Sequence, residues 1–214
     1  MTPNAENLSS LFTSYNATLN KAKTAAPSFY KKLSMVVPST TRENQYGWLG
    51  AMPNLREWVG DRIIHQLSIE GFVLRNKEFE ATVAVRRTDV EDDQYGVYGP
   101  MFEKMGHDAA QHPHELVLAL LRDGFTRICY DNQYFFDTDH PVGGQGEAPI
   151  VSVNNSGGGS GTPWYLLDCS QPLKPLVFQE RLPYKLTSLD REQDEGVFSR
   201  GEYLYGVRAR GLSL

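Results

Sequence analysis

The chain has 214 residues, of which 40% are hydrophobic and 22% charged, and its net charge is -5. This length can bury the core of one elaborate domain or two small ones, and the composition is that of a folded protein rather than a disordered tail. The net negative charge argues against a nucleic-acid-binding protein that works through a basic surface, because neutralising phosphates requires clustered Lys and Arg. Cys129 and Cys169 are too few for a disulfide framework and lack the spacing of a metal site, so we expect both to be reduced.

The sequence carries no signal for export or membrane insertion. No apolar run reaches the roughly 18 residues that are needed to cross a membrane. The first residues, up to Glu6, lack the basic region and apolar core of a signal peptide. We therefore expect the chain to fold in a cytoplasm and to have no membrane partner.

The N-terminal region predicts a helix followed by an arm. Apolar residues recur at spacings of three and four, which places them on one helical face: Leu8, Leu11, Phe12, Tyr15 and Leu19. Pro27 bounds this helix. Residues 28–53 contain aromatic side chains but no sustained period, so we expect this arm to lie either against its own domain or against a neighbouring subunit.

A second helix and a β-hairpin are predicted next. Asn54 and Glu57 are typical of a capped helix start, and the helix is expected to continue to about Leu67. The period then changes to two, with one apolar strand face formed by Phe79, Ala81, Val83 and Val85. Residues 72–74 and a turn at 75–77 precede this strand, so the pattern favours a hairpin whose outer face is charged.

A long helical pattern follows from Thr88 to Gly124. Residues 88–91 predict a capping box, and an apolar period close to 3.6 continues to Leu120 in spite of Gly99-Pro100 and Pro113. Either several consecutive helices or one kinked helix fits this pattern, and the preserved phase favours one kinked rod. Arg86 and Arg87, followed by acidic residues at 89–93, indicate either a strand end with a helix cap or complementary charge across a subunit contact.

The C-terminal half predicts strands separated by loops. Strands are expected at residues 125–130, 134–136, 164–167, 176–178 and 203–207, with a Gly/Ser-rich loop at 143–161. With the helices before them, they indicate an α+β fold.

One cluster could carry chemistry. Asp137, Asp139 and His140, with His112, could serve a metal-dependent hydrolase, because carboxylates and imidazole are metal ligands and acid–base groups. However, metallohydrolase spacings are absent, and Asp before His-Pro also makes a polar turn, which we favour. His112 and His114 lie two apart and would point away from each other on a helix, so we expect a kink with solvated or interface histidines. We predict no catalytic, cofactor-binding or metal-ligating residues.

Several long blocks of the sequence resemble a known family, the Mu-like phage major head subunits. The blocks are residues 83–96, 112–117, 129–141, 164–168 and 172–176, and they occur in the same order and spacing as in that family. The resemblance covers about residues 48–210. Blocks of this length are far more specific than any short motif.

The resemblance implies the Hong Kong-97-like capsid fold, with an N-terminal arm, an extended β-hairpin loop, a long spine helix, a peripheral antiparallel sheet and an axial domain. It implies four regions: residues 1–53 as the N-terminal helix and arm, 54–87 as a helix and the extended loop, 88–200 as the peripheral domain, and 201–214 as the start of the axial domain. Because family members continue well beyond residue 210, we expect the axial domain to be incomplete.

The function implied is that of a major head protein that self-assembles through pentamers and hexamers into an icosahedral shell around a DNA genome. Expected partners are copies of itself, a scaffold protein, a maturation protease and packaged DNA without sequence-specific contact. The expected location is the virion, after assembly in the bacterial host cytoplasm. The alternatives are the metal-dependent hydrolase and another virion component, such as a decoration or scaffold protein.

Overall fold

The computed structural model describes residues 2–46, 72–143 and 149–213. The predicted helix at 54–67 lies outside these residues, as does part of the predicted loop at 143–161. Within the described chain the elements are, in order, α1 (Ala5–Ala25), α2 (Tyr30–Leu33), β1 (Ser34–Pro38), β2 (Glu43–Tyr46), β3 (Phe72–Arg75), β4 (Lys77–Arg86), α3 (Arg87–Glu91), a 3-10 turn (Tyr95–Tyr98), α4 (Gly99–Asp123), β5 (His140–Val142), β6 (Val151–Val153), β7 (Leu176–Leu189), α5 (Glu195–Arg200) and β8 (Glu202–Ser213). This mixture of helices and sheets confirms the α+β class.

The N-terminal helix is confirmed. Asn4 caps α1 by accepting a hydrogen bond from the backbone N–H of Asn7 at 2.8 Å. The apolar face that the spacing predicted is buried against α4 and the sheet, with Leu19 the most deeply buried of its residues. Where the two helices cross, Gly106 of α4 approaches the backbone of Leu19 so closely that an added Cβ would lie 2.2 Å from its carbonyl oxygen.

The main sheet has four strands in the order β1-β7-β8-β4. It is antiparallel except for β1, which runs parallel to β7. Alternate residues of β8 are buried beneath α1 and α4, namely Tyr203, Tyr205, Val207 and Ala209. We call α1, α4 and this sheet the body. Because β1 belongs to it, the first part of the predicted arm packs on its own domain.

The predicted hairpin is wrong in its pairing. Both strands exist, but β3 pairs with β2 and β4 pairs with β8, so the two strands do not pair with each other. Residues 75–77 do not reverse the chain, because Asn76 is buried between two separate sheets and hydrogen-bonds to the loop before β2. The antiparallel pair that is observed joins β2 to β3, with residues 47–71 between them.

The single kinked rod is also wrong. The helical region divides into α3, the 3-10 turn and α4, and the break falls at Asp93, whose φ of 57° is left-handed. Pro100 stands in the first turn of α4, where proline is tolerated, and α4 continues through Pro113. The predicted capping box is absent, because α3 begins at Arg87 and its N-cap, Arg86, makes no side-chain cap hydrogen bond.

The predicted strands at 125–130, 134–136 and 164–167 are wrong. The first two are turns joined by one isolated bridge between Ile128 and Tyr134, and the third has no regular secondary structure. The strands at 176–178 and 203–207 are confirmed within the much longer β7 and β8. Gly124 directly follows α4 and has an ordinary φ of -62°, and its lack of a side chain leaves room for the ring of Phe136.

Strands from all four predicted regions lie in one sheet. β1, β4, β7 and β8 fall in residues 1–53, 54–87, 88–200 and 201–214 respectively, and they are hydrogen-bonded side by side. The division into regions therefore remains a prediction about roles rather than a description of separate cores. Among the described residues, no helix is long and apolar enough to cross a bilayer.

Candidate assembly surfaces

The hairpin base, which is the pair of strands β2 and β3, packs on the face of the sheet opposite α4. Alternation along β7 produces this arrangement, because Leu176 and Phe178 pack with the end of α4 while Val177 points to the other face. There Val177 meets Tyr46 of β2 and Leu74 of β3 in a small apolar cluster. The hairpin base is thus attached to the body through this apolar cluster.

A buried polar network, which we call the amide joint, connects the hairpin base to the sheet. Its centre is Gln179 of β7, which is 0% exposed. The Gln179 Oε1 accepts a hydrogen bond from the Tyr46 hydroxyl at 2.7 Å, and its Nε2 donates to Asn76 Oδ1 at 2.8 Å and to the Leu74 carbonyl at 3.3 Å.

Asn76 extends the amide joint to the loop before β2. Its Nδ2 donates to Ser39 Oγ and to the Thr41 carbonyl, each at 3.0 Å. Ser39 is tied to the sheet in turn, since its backbone N–H donates to the Glu180 carbonyl at 2.8 Å. The side-chain amides of Gln179 and Asn76 both donate and accept, so neither leaves its donor or acceptor end buried without a partner.

A second surface is formed by the described residues 125–143 and 149–173, which we call the outer segment. Most of its apolar side chains are exposed. Along residues 164–167 exposure alternates: Tyr165 and Leu167 pack against the body, whereas Trp164 and Leu166 are 82% and 86% exposed. Side chains this apolar and this exposed, in a row, are typical of a protein contact surface.

The short hairpin of β5 and β6 adds to this surface. Val142, Val151 and Val153 are all exposed, as is Ile150 just before β6. None of them belongs to the buried clusters of the described chain. A two-stranded hairpin is marginal by itself in water, so this one gains most from a partner that covers it.

The residues of the proposed hydrolase cluster form a turn. Asp137 accepts hydrogen bonds from the backbone N–H groups of Thr138 at 2.7 Å and Tyr134 at 3.3 Å, and these bonds lower its pKa. Asp139 is exposed and receives a 3.4 Å contact from Gln133 Nε2. No group of three or more potential metal ligands occurs in the described parts of the chain.

His140 pairs instead with Asp131, a residue that the sequence reasoning did not single out. The His140 Nδ1 lies 2.6 Å from Asp131 Oδ2, and both side chains are largely buried. Burial lowers the pKa of His140, but the hydrogen bond and charge of Asp131, together with hydrogen bonds to Asn155 and the Phe135 backbone, outweigh burial and raise the pKa. The pair ties the turn after residue 129 to the start of β5. The short connection between the predicted strands at 125–130 and 134–136 was the available signal, because such a connection predicts a turn at Asp131.

His112 and His114 lie on different sides of α4, as their spacing predicted. His112 Nδ1 hydrogen-bonds the Tyr184 hydroxyl, and its ring contacts Phe79, whereas His114 contacts Phe29. Burial lowers the pKa of His112. His112 and His140 therefore have different partners, and the two do not form one site.

The remaining candidates are structural. Arg87 Nε donates to Glu91 Oε1 at 2.9 Å within α3, so these two members of the basic and acidic run at 86–93 pair within the chain. Cys129 and Cys169 are both free thiols.

Gln179 was missed because it directly follows the apolar residues 176–178. A glutamine inside a buried run was the signal that could have found it.

Comparison with known proteins identifies the class of subunit. The family described as Mu-like prophage major head subunit gpT matches residues 8–213. The chain is 46% identical over 208 residues to the major capsid protein of Escherichia phage Mu, a match that covers 95% of this chain and 68% of that protein. It is 41% identical over 206 residues to the Mu-like prophage FluMu major head subunit of Haemophilus influenzae, covering 94% and 67% of the two proteins.

The fold agrees with a solved capsid subunit. In the procapsid of bacteriophage JBD30 the matching chain superposes with a TM-score of 0.82 and 48% identity, over 98% of this chain and 72% of that one. The body, the hairpin base and the outer segment therefore make up a Hong Kong-97-like capsid protein of the tailed-phage type.

Within that class, the chain belongs to the Mu-like prophage major head subunit family. It is a major head protein, a structural component of a phage capsid rather than an enzyme, and it assembles with copies of itself in a capsid lattice. The alternatives of a hydrolase, a decoration protein and a scaffold protein have no support. The chain spans about two thirds of the length of the two relatives.

Proposed function

We propose that the subunit forms pentamers and hexamers that close into an icosahedral shell around a DNA genome, through two surfaces. The first is the β2–β3 hairpin, which would contact a neighbouring subunit. The second is the outer segment, which packs against adjacent copies of the chain. The exposed row at Trp164 and Leu166 is the observation that carries this proposal.

Assembly would bury apolar surface that the subunit alone leaves exposed to water. The body buries its own aromatic residues, whereas the outer segment leaves Trp164, Leu166 and the valines of β5 and β6 in water. Burying apolar area stabilises an assembly by about 25 cal/mol per Å². Contacts that are individually weak give a stable closed shell when each subunit makes several of them.

The four predicted regions are kept as a proposal about roles in the shell. Residues 1–53 would provide the N-terminal helix and arm, 54–87 the extended loop, 88–200 the peripheral domain, and 201–214 the start of an axial domain. Because β3 pairs with β2 rather than with β4, the hairpin that we propose to contact a neighbour consists of β2 and β3. It therefore begins at Glu43, earlier in the chain than the predicted loop.

Further partners are proposed from family resemblance and charge. A scaffold protein and a maturation protease would act during assembly in the bacterial host cytoplasm. Packaged DNA would be held without sequence-specific contacts, which suits a chain of net charge -5. A steep dependence of DNA affinity on salt for the purified subunit would contradict this last point, since such a slope reports phosphate neutralisation.

Electron microscopy of the purified chain tests the shell. We expect rings of five or six subunits, or closed shells, for the parent protein. Replacing Leu166 by Ser should greatly reduce these particles, and Leu166→Met, which keeps an apolar side chain at the same position, should retain them. A parent protein that stays strictly monomeric at high concentration would contradict the proposal.

A further inference from the structure

The hairpin base is held to the body in two physically different ways. The first is the apolar cluster of Tyr46, Leu74 and Val177. Apolar attraction is proportional to buried area and has no preferred direction, so it permits sliding and tilting. The second is the amide joint, whose hydrogen bonds require particular distances and angles.

The amide joint is placed where it can control an angle. Gln179 is in β7, a strand that is hydrogen-bonded on both sides by β1 and β8, so its backbone is fixed within the sheet. Gly211 of β8 leaves its backbone against Gln179, where an added Cβ would lie 2.7 Å from the Gln179 carbonyl oxygen. The partners of the Gln179 side chain, by contrast, all lie on the hairpin side, in β2, β3 and Asn76.

Asn76 stands at the single residue between β3 and β4, where the chain passes from the hairpin base into the main sheet. Its backbone N–H donates to the Arg42 carbonyl at 3.0 Å, and its side chain binds the same loop. Both strands of the hairpin base are therefore linked to one another and to Gln179 by buried hydrogen bonds.

We infer that Gln179 is a positioning residue, which acts through Asn76 and Tyr46 to fix the direction in which the β2–β3 hairpin leaves the body. An apolar residue of similar size would fill the same space without fixing that direction. Any contact made beyond the hairpin base is displaced by a change of angle in proportion to its distance from the base. The amide joint thus selects the position on a neighbouring subunit that the hairpin can reach, an inference that rests on the proposed role of the hairpin.

Distance measurements by pulsed electron spin resonance test this inference without requiring assembly. Spin labels would be placed at Val73 of β3 and Lys185 of β7, which are both exposed, in a chain whose Cys129 and Cys169 are replaced by Ser. We expect one narrow distance distribution for the parent and a broader or shifted one for Gln179→Leu. Tyr46→Phe, which keeps the ring and removes the hydrogen bond from the Tyr46 hydroxyl to Gln179, should give a smaller change of the same kind.

The matched control separates positioning from stability. Val197→Ala removes buried methyl groups from the cluster on the other side of the body, so it lowers the melting temperature without touching the amide joint. We expect its distance distribution to equal that of the parent. If Gln179→Leu lowers the melting temperature yet keeps the parent distribution, the residue only stabilises the fold and the inference is wrong. Should Gln179→Leu fail to fold, an unchanged distribution in Tyr46→Phe would overturn it.

Particle formation tests separately whether the amide joint acts in assembly. Among variants with an altered distribution, we expect particles of irregular size or none, whereas Val197→Ala should form the parent particles at temperatures where it is folded. Uniform, parent-like shells from a variant with an altered distribution would contradict the selection of contacts. A parent that forms no particles would contradict the proposed function alone, because the distance measurement still tests the amide joint.

Discussion

The body buries most of its large apolar side chains, whereas the outer segment leaves most of its own exposed. In the body, the buried rings of Tyr15 and Phe102 are stacked with their centroids 3.9 Å apart, and both meet the buried ring of Tyr205 edge-on. In the outer segment, Trp164 and Leu166 are almost fully exposed. The body is therefore stabilised by its own core, whereas the outer segment presents an apolar surface that suits a partner.

The largest contrast is expected between two truncations. Phe102→Ala removes a fully buried ring from the body and should lower the free energy of unfolding by about 3–5 kcal/mol. Leu166→Ala removes an exposed side chain and should change it by less than about 0.5 kcal/mol. Urea denaturation of the unassembled subunit measures both, and similar losses for the two variants would remove the distinction between the regions.

The crossing of α1 and α4 gives the next largest effect within the body. In Gly106→Ala the new Cβ meets the backbone of Leu19, which cannot move aside as a flexible side chain would. We expect the free energy of unfolding to fall by about 1–3 kcal/mol, which is typical of overpacking. Gly96→Ala is the control, since nothing lies within 4 Å of its added Cβ. Equal stability of Gly106→Ala and the parent would show that the helices are not in such close contact.

The smallest effect concerns pH and the outer segment. Because Asp131 raises the pKa of His140 in the folded chain, the pair contributes its full stability below the ordinary histidine value of about 6.5. That contribution is lost as the pH rises through the higher folded value. Asp131→Asn should lower the pKa of His140, since burial then acts without the carboxylate.

Proton NMR titration of the histidine signals measures this shift, with His112→Gln and His114→Gln used to assign them. An unchanged titration of His140 in Asp131→Asn would show that the pair does not form in solution.

Local patterns were sufficient for those parts of the fold that are locally determined. The spacing of Leu8, Leu11, Tyr15 and Leu19 predicted α1 because a helix depends on residues three and four apart. The family resemblance then supplied the overall fold, which periodicity alone did not. The strand at residues 77–86 was also found, because one of its faces is apolar.

Pairing between distant segments was not predictable in the same way. The choice of β8 rather than β3 as the partner of β4 depends on residues more than a hundred positions away. The aromatic residues at 125–136 suggested strands, yet Phe125, Phe135 and Phe136 pack around one another and the end of α4 instead of in a ladder. The amide joint depends on the same long-range geometry, because Gln179 lies more than a hundred positions from Tyr46 and from Asn76.

Hydrogen–deuterium exchange on the subunit before and after assembly tests the central claim most directly. In the free subunit, we expect strong protection in α4, β7 and β8 and little protection at residues 149–167. After assembly, protection at 149–167 should rise sharply while that of the body stays nearly constant. If residues 149–167 are already protected in the free subunit, or remain unprotected in the shell, then the outer segment is not the contact surface and the account is contradicted.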